Sequence, residues 1–334
     1  MERILFKKIF IETKIKNSAK AKEIINKFPN SEIHIIQRYD DIFGKVRKPY
    51  LEKRENLNLY IAEKRGTIVK EAPNAYGLDG AKHYYFINSY NCIYECEYCY
   101  LQGFFNSPDI VLFVNWDDIE KSIIDTAKEN LGCWFHAGEF SDSLALSNLT
   151  GELDKYYKIF SQIPHAKLEL RTKSINIKSA LRNTPLDNIF YSFSISTDSS
   201  TKKVDHKTPS LKHRLSAIKN LLKNGHQVGL HLDPIIWTSN WSDEYLSLIR
   251  TMSKEFDLQS VSYISLGVVR FTDDVFYQFK KNYPDSIIFE GELSKSFDNK
   301  IRYPKALRFK MLNHVKMILG DHGATPDSIY YCME

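Results

Sequence analysis

The chain of 334 residues has no long apolar run. Stretches such as IVLFV at 110–114 fall far short of the ~20 residues a membrane helix needs, so no spanning segment is expected. It has no internal repeat and no low-complexity tract, which excludes repeat architectures and biased linkers. With 43% hydrophobic and 26% charged residues, it does not match a disordered, collagen-like or coiled-coil chain. The opening MERILFKKIFIETK breaks its few apolar residues with lysines and a glutamate, and lacks a small-residue cleavage site. It does not read as an export signal. Cysteine is scarce, five in all, an odd number, with three inside eight residues. That distribution suits a metal or cluster site in a reducing compartment better than a disulfide framework, and a cytoplasmic location is expected. Charge of one sign is also lacking: 46 Lys and Arg against 41 Asp and Glu leave +5. The excess permits a polyanionic partner without requiring one.

What is present is an alternation of short β-rich runs with amphipathic helical stretches. YYFIN (84–88) precedes a helix over 116–130, GCWFHA (132–137) one over 151–163, and KLELRT (167–172) one over 175–181. IFYSFSI (189–195) precedes 211–224, QVGLHLDP (227–234) precedes 241–252, and SVSYISLG (260–267) precedes 273–281. Six strands each followed by a helix imply a parallel sheet with right-handed crossovers. The fold class is therefore α/β, a partial (β/α)6 TIM-like barrel two units short of eight. Chemistry in such folds sits where the strands end, so residues just after each strand form the candidate site. The first 80 residues read differently, with a helix over 19–28, strands over 32–36 and 56–62, and a basic link over 45–54. We expect a small N-terminal α/β appendage over 1–80, then the barrel over 81–334 with a C-terminal segment closing its mouth.

Directly after the first strand lies a CxxxCxxC loop, Cys92, Cys96 and Cys99. Three thiolates on one loop suit three irons of a [4Fe–4S] cluster, leaving the fourth iron open to a substrate or cofactor. Structural zinc is the alternative, but it wants four ligands, and Cys133 and Cys332 stand alone with no HxxxH nearby.

In this position the motif resembles the radical SAM superfamily signature CxxxCxΦC, with Tyr98 as the aromatic Φ. The resemblance implies that Cys92, Cys96 and Cys99 hold the cluster and that the open iron chelates S-adenosyl-L-methionine. Tyr98 would lie near the adenine, and one-electron reduction of the sulfonium would generate a 5′-deoxyadenosyl radical. His136-Ala137-Gly138-Glu139 matches the superfamily's GGE-type motif, so Glu139 is expected to accept from the methionine ammonium. The plainer reading makes it a solvated residue near a helix start. Arg171-Thr172-Lys173-Ser174 offers cations for the methionine carboxylate, and Ser194 and Ser196 end the fourth strand.

Longer segments resemble spore photoproduct lyase and its relatives: AKEIINKFPNSEIHIIQRY, YYFINSYNCIYECEYCYLQ, WFHAGEFSDSL, LRTKS, KVDHKTPSLKHRL and IRYPKALRFKML. Together they span most of the chain. Members of that family reverse a UV-induced thymine dimer in spore DNA: the adenosyl radical takes a hydrogen from the lesion, the dimer fragments, and a hydrogen is returned. The resemblance implies Ser141, Lys173 and Ser194 as cofactor contacts and places Tyr98 and Tyr100 near the radical path. It also implies DNA containing a thymine dimer as partner, and an electron donor such as a flavodoxin or ferredoxin.

The departures are as informative. The family's hydrogen-donating cysteine lies in a stretch like FEAACTSD, and the aligned segment 135–142 carries Glu139 at that place. A carboxylate O–H is a far poorer hydrogen-atom donor than a thiol. Cys133, near a strand start, is expected to lie away from the site, whereas Cys332 in the terminal YYCME is the candidate donor if that segment folds over the mouth. An inert buried thiol is the plainer reading for both. Asp233 stands at a strand end where the family has a small residue. Two other readings stay open: a radical SAM paralogue with a different substrate, and a zinc-stapled nucleic-acid-binding module without catalysis. The basic stretches 202–214 and 300–310 are expected to meet phosphates, with Arg302 and Tyr303 filling the space left by a flipped lesion.

Overall fold

The computed structural model describes residues 6–45, 50–51, 55–73 and 80–333. Residues 46–49 and 52–54 of the expected basic link lie outside them. Seven strands run parallel: β1 (His83–Phe86), β2 (Trp134–Ala137), β3 (Lys167–Thr172), β4 (Ile189–Ser194), β5 (Gln227–Ile235), β6 (Tyr263–Val268) and β7 (Ile329–Tyr331). They lie side by side in chain order, and Val69–Glu71 pairs antiparallel with the free edge of β1. The helices α1 (Trp116–Glu129), α2 (Glu152–Phe160), α3 (Leu211–Lys223), α4 (Trp241–Glu255), α5 (Asp273–Asn282) and α6 (Lys305–Asp321) supply the crossovers. This is the expected mixed α/β fold, an open parallel sheet of the partial-barrel kind.

A period of two along each strand decides which side is the core. One set of alternate residues, among them Phe86, Phe135, Leu170, Tyr191, Leu230 and Leu266, packs against the helices in a single apolar cluster. The other set points inward and is polar or aromatic: His83, His136, Glu169, Ser194, Asp233 and Tyr330 belong to it. The sheet thus buries one face as core and keeps the other as the wall of a site.

The third crossover departs from expectation. Residues 175–181 form no α-helix, only a 3-10 turn at Ala180–Arg182. The Ser174 hydroxyl accepts from the Asn176 N–H, and the Asn176 amide donates to the carbonyls of Leu144 and Ala145. Side chains that bond the backbone in this way compete with helical hydrogen bonds.

A second sheet has the order Glu32–Ile36, Lys8–Glu12, Leu59–Ala62, Ile110–Phe113, Ser89–Tyr90. The expected helix forms over Ala19–Asn26, capped by Ser18, whose hydroxyl accepts from the Ala21 N–H at 3.2 Å. Lys8–Glu12 and Ile110–Phe113 were not anticipated as strands. The continuous apolar run of Ile110–Phe113 is the mark of a strand covered on both faces. Ile110 and Leu112 join one apolar cluster, Val111 and Phe113 another.

Gly229 on β5 pairs with Tyr263 on β6, and a Cβ at Gly229 would stand 2.4 Å from the Tyr263 ring. Both residues are buried, so the ring has no room to yield. Gly229→Ala is expected to lower unfolding free energy by about 1–3 kcal/mol through overpacking, read from the midpoint of urea denaturation.

Candidate active site

The inward residues and the loops at the strand ends enclose a cavity of about 780 Å³, within the usual size range of ligand pockets. The cysteine loop forms its roof. After β1 the chain leaves the sheet, pairs Ser89–Tyr90 with Ile110–Phe113, and turns at Asn91 in the left-handed region, φ 62°. The Asn91 amide donates to the carbonyls of Ser107 (2.6 Å) and Asp109 (2.7 Å), which anchors the turn. Beyond it the Cys99 N–H donates to the Cys96 carbonyl and starts the one-turn helix Leu101–Phe104.

The loop is held from the far side of the barrel by the segment that follows β4. Asp205–His206 pairs antiparallel with Glu95–Cys96. The Asp205 carboxylate accepts from the Tyr98 hydroxyl at 2.5 Å and from Nη1 and Nη2 of Arg214, each at 3.2 Å. Arg214 is wholly buried and also donates to the carbonyls of Ser194 and Pro209. His206 faces Glu97 at 2.8 Å and Lys207 faces Glu95 at 2.9 Å.

Of residues 202–214, expected as a phosphate-binding stretch, Arg214 is turned inward and His206 is half-buried, whereas Lys202, Lys203, Lys207, Lys212 and His213 remain exposed. In the stretch 300–310 Lys305 and Lys310 are exposed, but the expectation for Arg302 and Tyr303 is corrected. Arg302 and Tyr303 are 2% and 0% exposed, Arg302 donating to Asp298 and to the Met333 carbonyl, and the Tyr303 hydroxyl accepting from the Trp237 N–H. Neither side chain stands free to enter a gap in a duplex. Their charge and aromaticity looked like a DNA surface, but both side chains are buried and already paired within the fold.

The other anticipated residues converge. Cys92, Cys96, Cys99, Tyr98, Tyr100, Glu139, Ser141, Lys173, Ser194 and Cys332 all line the one cavity, although they come from five separate stretches of chain. Cys133 is buried in the apolar core at the start of β2 and Ser196 lies outside the lining, whereas Arg171 and Asp233 are in it. Lys173 sits with its Nζ 5.3 Å from the Tyr98 ring centroid. Burial works to lower the Lys173 amine, but Cys96 and Asp205 outweigh it and hold the group protonated. The Ser141 hydroxyl accepts from Ser89 at 2.8 Å, and the Tyr100 hydroxyl donates to the Glu139 carbonyl. Asp142, not singled out from the sequence, organises this corner: its carboxylate accepts from the N–H groups of Leu144, Ala145 and Lys173 and from the Thr172 hydroxyl. Gly138 permits the turn out of β2, at φ 82° with a Cβ position only 2.7 Å from the Ser143 nitrogen.

The cavity floor is a charged network that sequence reasoning missed apart from Arg171 and Asp233. His83 Nδ1 lies 2.9 Å from His136 Nε2, and His136 Nδ1 lies 2.5 Å from Glu169. His231 Nε2 reaches the other Glu169 oxygen at 2.8 Å, and the Tyr263 hydroxyl donates to it at 2.7 Å. Burial works to raise Glu169, but Arg171, His231 and His136 overcome it and keep the carboxyl well below its ordinary range. Burial likewise opposes the ionised form of Asp233, and Arg270, bound bidentately at 2.8 and 2.9 Å, overcomes it. The one sequence signal for this layer is the recurrence of polar residues at alternate positions of otherwise apolar strands.

The donor set can be tested against the cofactors expected from the motif. Three thiols border the cavity on one loop without a fourth protein ligand, and among the described residues no three His, Cys, Asp or Glu side chains are arranged to hold a single metal ion. Three thiolates on one loop are a donor set that suits three irons of a cluster and leaves the fourth iron open. An aromatic ring, a carboxylate, hydroxyls and a protonated lysine around the adjoining space fit the adenine, ammonium and carboxylate ends of S-adenosyl-L-methionine.

A half-open parallel barrel carrying three cysteines on the loop after its first strand, with room beside them for a nucleoside cofactor, defines a protein of the radical SAM class. The family model of spore photoproduct lyase matches residues 5–311, and the chain belongs to that family. The lyase of Clostridium acetobutylicum is 24% identical over 294 residues, 84% of each chain. Spore photoproduct lyase complexed with dinucleoside spore photoproduct superposes with a TM-score of 0.84 at 19% identity, covering 98% of this chain and 99% of the other. A doubly substituted lyase with bound AdoMet and dinucleoside spore photoproduct gives 0.82 at 19% identity, covering 98% of both.

Two outcomes follow from the site's electrostatics. Removing one member of a fully buried pair strands the other charge, so Arg214→Met is expected to lower unfolding free energy by about 3–5 kcal/mol, measured by urea denaturation. Because Glu169 and Asp233 are depressed in the folded state, the stability they contribute is whole above about pH 4–5, the ordinary carboxylate range. It is lost as pH falls through their lower folded values, where the unfolded chain binds more protons. Glu169→Gln is expected to flatten that acid limb, measured as the urea midpoint between pH 7 and pH 3.

Proposed function

We propose that the protein is a radical SAM lyase that repairs the UV-induced thymine dimer of spore DNA, the spore photoproduct. The observation that carries the reading is the convergence of the three motif cysteines and the expected cofactor contacts on one cavity, in a chain whose family is that of the lyase. Cys92, Cys96 and Cys99 would hold a [4Fe–4S] cluster, and the chemistry it would supply is one-electron reductive cleavage of S-adenosyl-L-methionine to methionine and a 5′-deoxyadenosyl radical.

The chain's own residues bind and orient. Glu139 accepts hydrogen bonds from the methionine ammonium, and Lys173, held protonated, faces the carboxylate. Ser141 and Ser194 direct hydroxyls at the cofactor, and the Tyr98 ring offers a stacking face because its hydroxyl is tied to Asp205. Tyr100, half exposed on the cavity wall, borders the space where substrate meets cofactor. A low-potential one-electron donor, a flavodoxin or ferredoxin, completes the reaction. The five cysteines, none in a disulfide, suit the reducing cytoplasm. Among the described residues no helix is long and apolar enough to cross a membrane.

A second reading, the same chemistry on another substrate, is favoured by the ionised Asp233–Arg270 pair on the cavity wall, which a neutral thymine does not call for. One assay separates the two. Reduced, iron-loaded protein with S-adenosyl-L-methionine and dinucleoside spore photoproduct is expected to form 5′-deoxyadenosine and restore two thymines. 5′-Deoxyadenosine without thymine supports the second reading. Cys96→Ala is expected to lose the brown cluster absorption near roughly 400 nm and all cofactor cleavage.

A further inference from the structure

Repair of a thymine dimer is an isomerisation, so the hydrogen atom taken from the lesion at the start must be given back to the carbon radical that remains after fragmentation. The residue that gives it has to line the cavity and hold a weak X–H bond. Three of the cavity's thiols are those assigned to the cluster, and Glu139 offers only a strong O–H. Among the described residues, one further thiol lines the space: Cys332.

Its position is set by the topology. β7 pairs parallel with β6 in the register Ser265 with Tyr330 and Leu266 with Tyr331, so the chain emerges at the same end of the barrel as the cysteine loop. The Cys332 N–H donates to the Leu266 carbonyl at 2.8 Å, extending the strand by one step. Alternation then sends Tyr330 and Cys332 inward, and both line the cavity. Arg270 Nη2 approaches the sulfur at 3.8 Å while the same guanidinium clamps Asp233, so the side chain is held in place.

We propose that Cys332 is the hydrogen-atom donor of this site, an assignment that rests on the repair reading above. Its S–H bond breaks homolytically, and the hydrogen forms a C–H bond on the carbon radical of the fragmented dimer. The sulfur, left with one unpaired electron, takes a hydrogen atom from the methyl group of 5′-deoxyadenosine, which restores the thiol and returns the radical to the adenosyl carbon. Each step breaks one bond to hydrogen and forms one, with no electron added. Burial, then the Asp233 carboxylate, push the thiol up, which keeps the sulfur protonated at neutral pH and so able to give a hydrogen atom. The departures at Glu139 and Asp233 then belong together, because the Asp233–Arg270 pair helps position the relocated thiol.

The test uses iron-loaded, reduced protein in D2O with dinucleoside spore photoproduct. The thiol exchanges with solvent, so the wild type is expected to carry deuterium into the restored thymine. In Cys332→Ala that label disappears, and thymine restored per 5′-deoxyadenosine formed falls at least tenfold, whereas Cys133→Ala matches the wild type. If Cys332→Ala does not load iron, Cys332→Ser, which keeps the shape and lacks the weak bond, carries the same expectation. A readout independent of turnover is iodoacetamide alkylation of Cys332, mapped by mass spectrometry without reductant: the dinucleoside should slow it severalfold. Thymine restored and labelled by Cys332→Ala as by the wild type, or alkylation indifferent to substrate, overturns the donor assignment alone. A wild type that forms 5′-deoxyadenosine and no thymine overturns the repair reading, and the assignment with it.

Discussion

The buried carboxylate of Asp205 is the constraint on which the rest of the site depends. It neutralises Arg214, accepts from the Tyr98 hydroxyl, and sits opposite Cys96 in a two-residue antiparallel ladder. A cysteine loop with no regular structure of its own would otherwise sample many conformations at a cost in entropy for every residue ordered. One ionised group, desolvated and fully paired, ties that loop to the segment after β4, more than a hundred residues later. The energetics are of the kind in which the pair adds little over an apolar substitute, yet losing one partner costs several kcal/mol. The arrangement therefore specifies geometry more than it adds stability.

A second division of labour runs through the sheet. Each parallel strand presents apolar residues to the helices and polar residues to the interior, and the polar layer is continuous from His83 through His136 and Glu169 to His231. Charges in such a layer are tolerable only when each finds a partner. Glu169 accepts from two histidines and a tyrosine with Arg171 at hand, and Asp233 is held by Arg270. The interior is rigid and polar below, open and partly aromatic above, a setting in which a nucleoside cofactor and a dinucleoside lie between fixed walls.

The sequence made much of the barrel legible. Strands with apolar cores and amphipathic helices of three to four turns declare themselves by period, and the CxxxCxxC loop declares itself by spacing. The third crossover did not, because Ser174 and Asn176 spend their side chains on backbone groups elsewhere and leave no helix to form. Nor did the role of the stretches 202–214 and 300–310. Basic composition looks the same whether Arg214 and Arg302 face solvent or are themselves buried against a carboxylate, and only the contacts decide between them. The histidine and glutamate layer escaped notice for a related reason: His83, His136, Glu169 and His231 lie on four different strands, and the alternation of polar residues along each strand does not say that they meet.

The sequence by itself determined the alternation of strand and helix, the three cysteines on one loop, and the identity of the strand-end residues, since all of these are written in spacings of a few residues. Only the tertiary structure decided that β7 runs beside β6 and brings Cys332 to the cavity, that Asp205 locks the cysteine loop, and that Arg214, Arg302 and Tyr303 of the two basic stretches are internal. The physical reason is range. Periodicity and spacing arise from backbone geometry over one or two turns, whereas the pairing of a buried charge or the delivery of a thiol depends on which distant segments the packed core sets side by side.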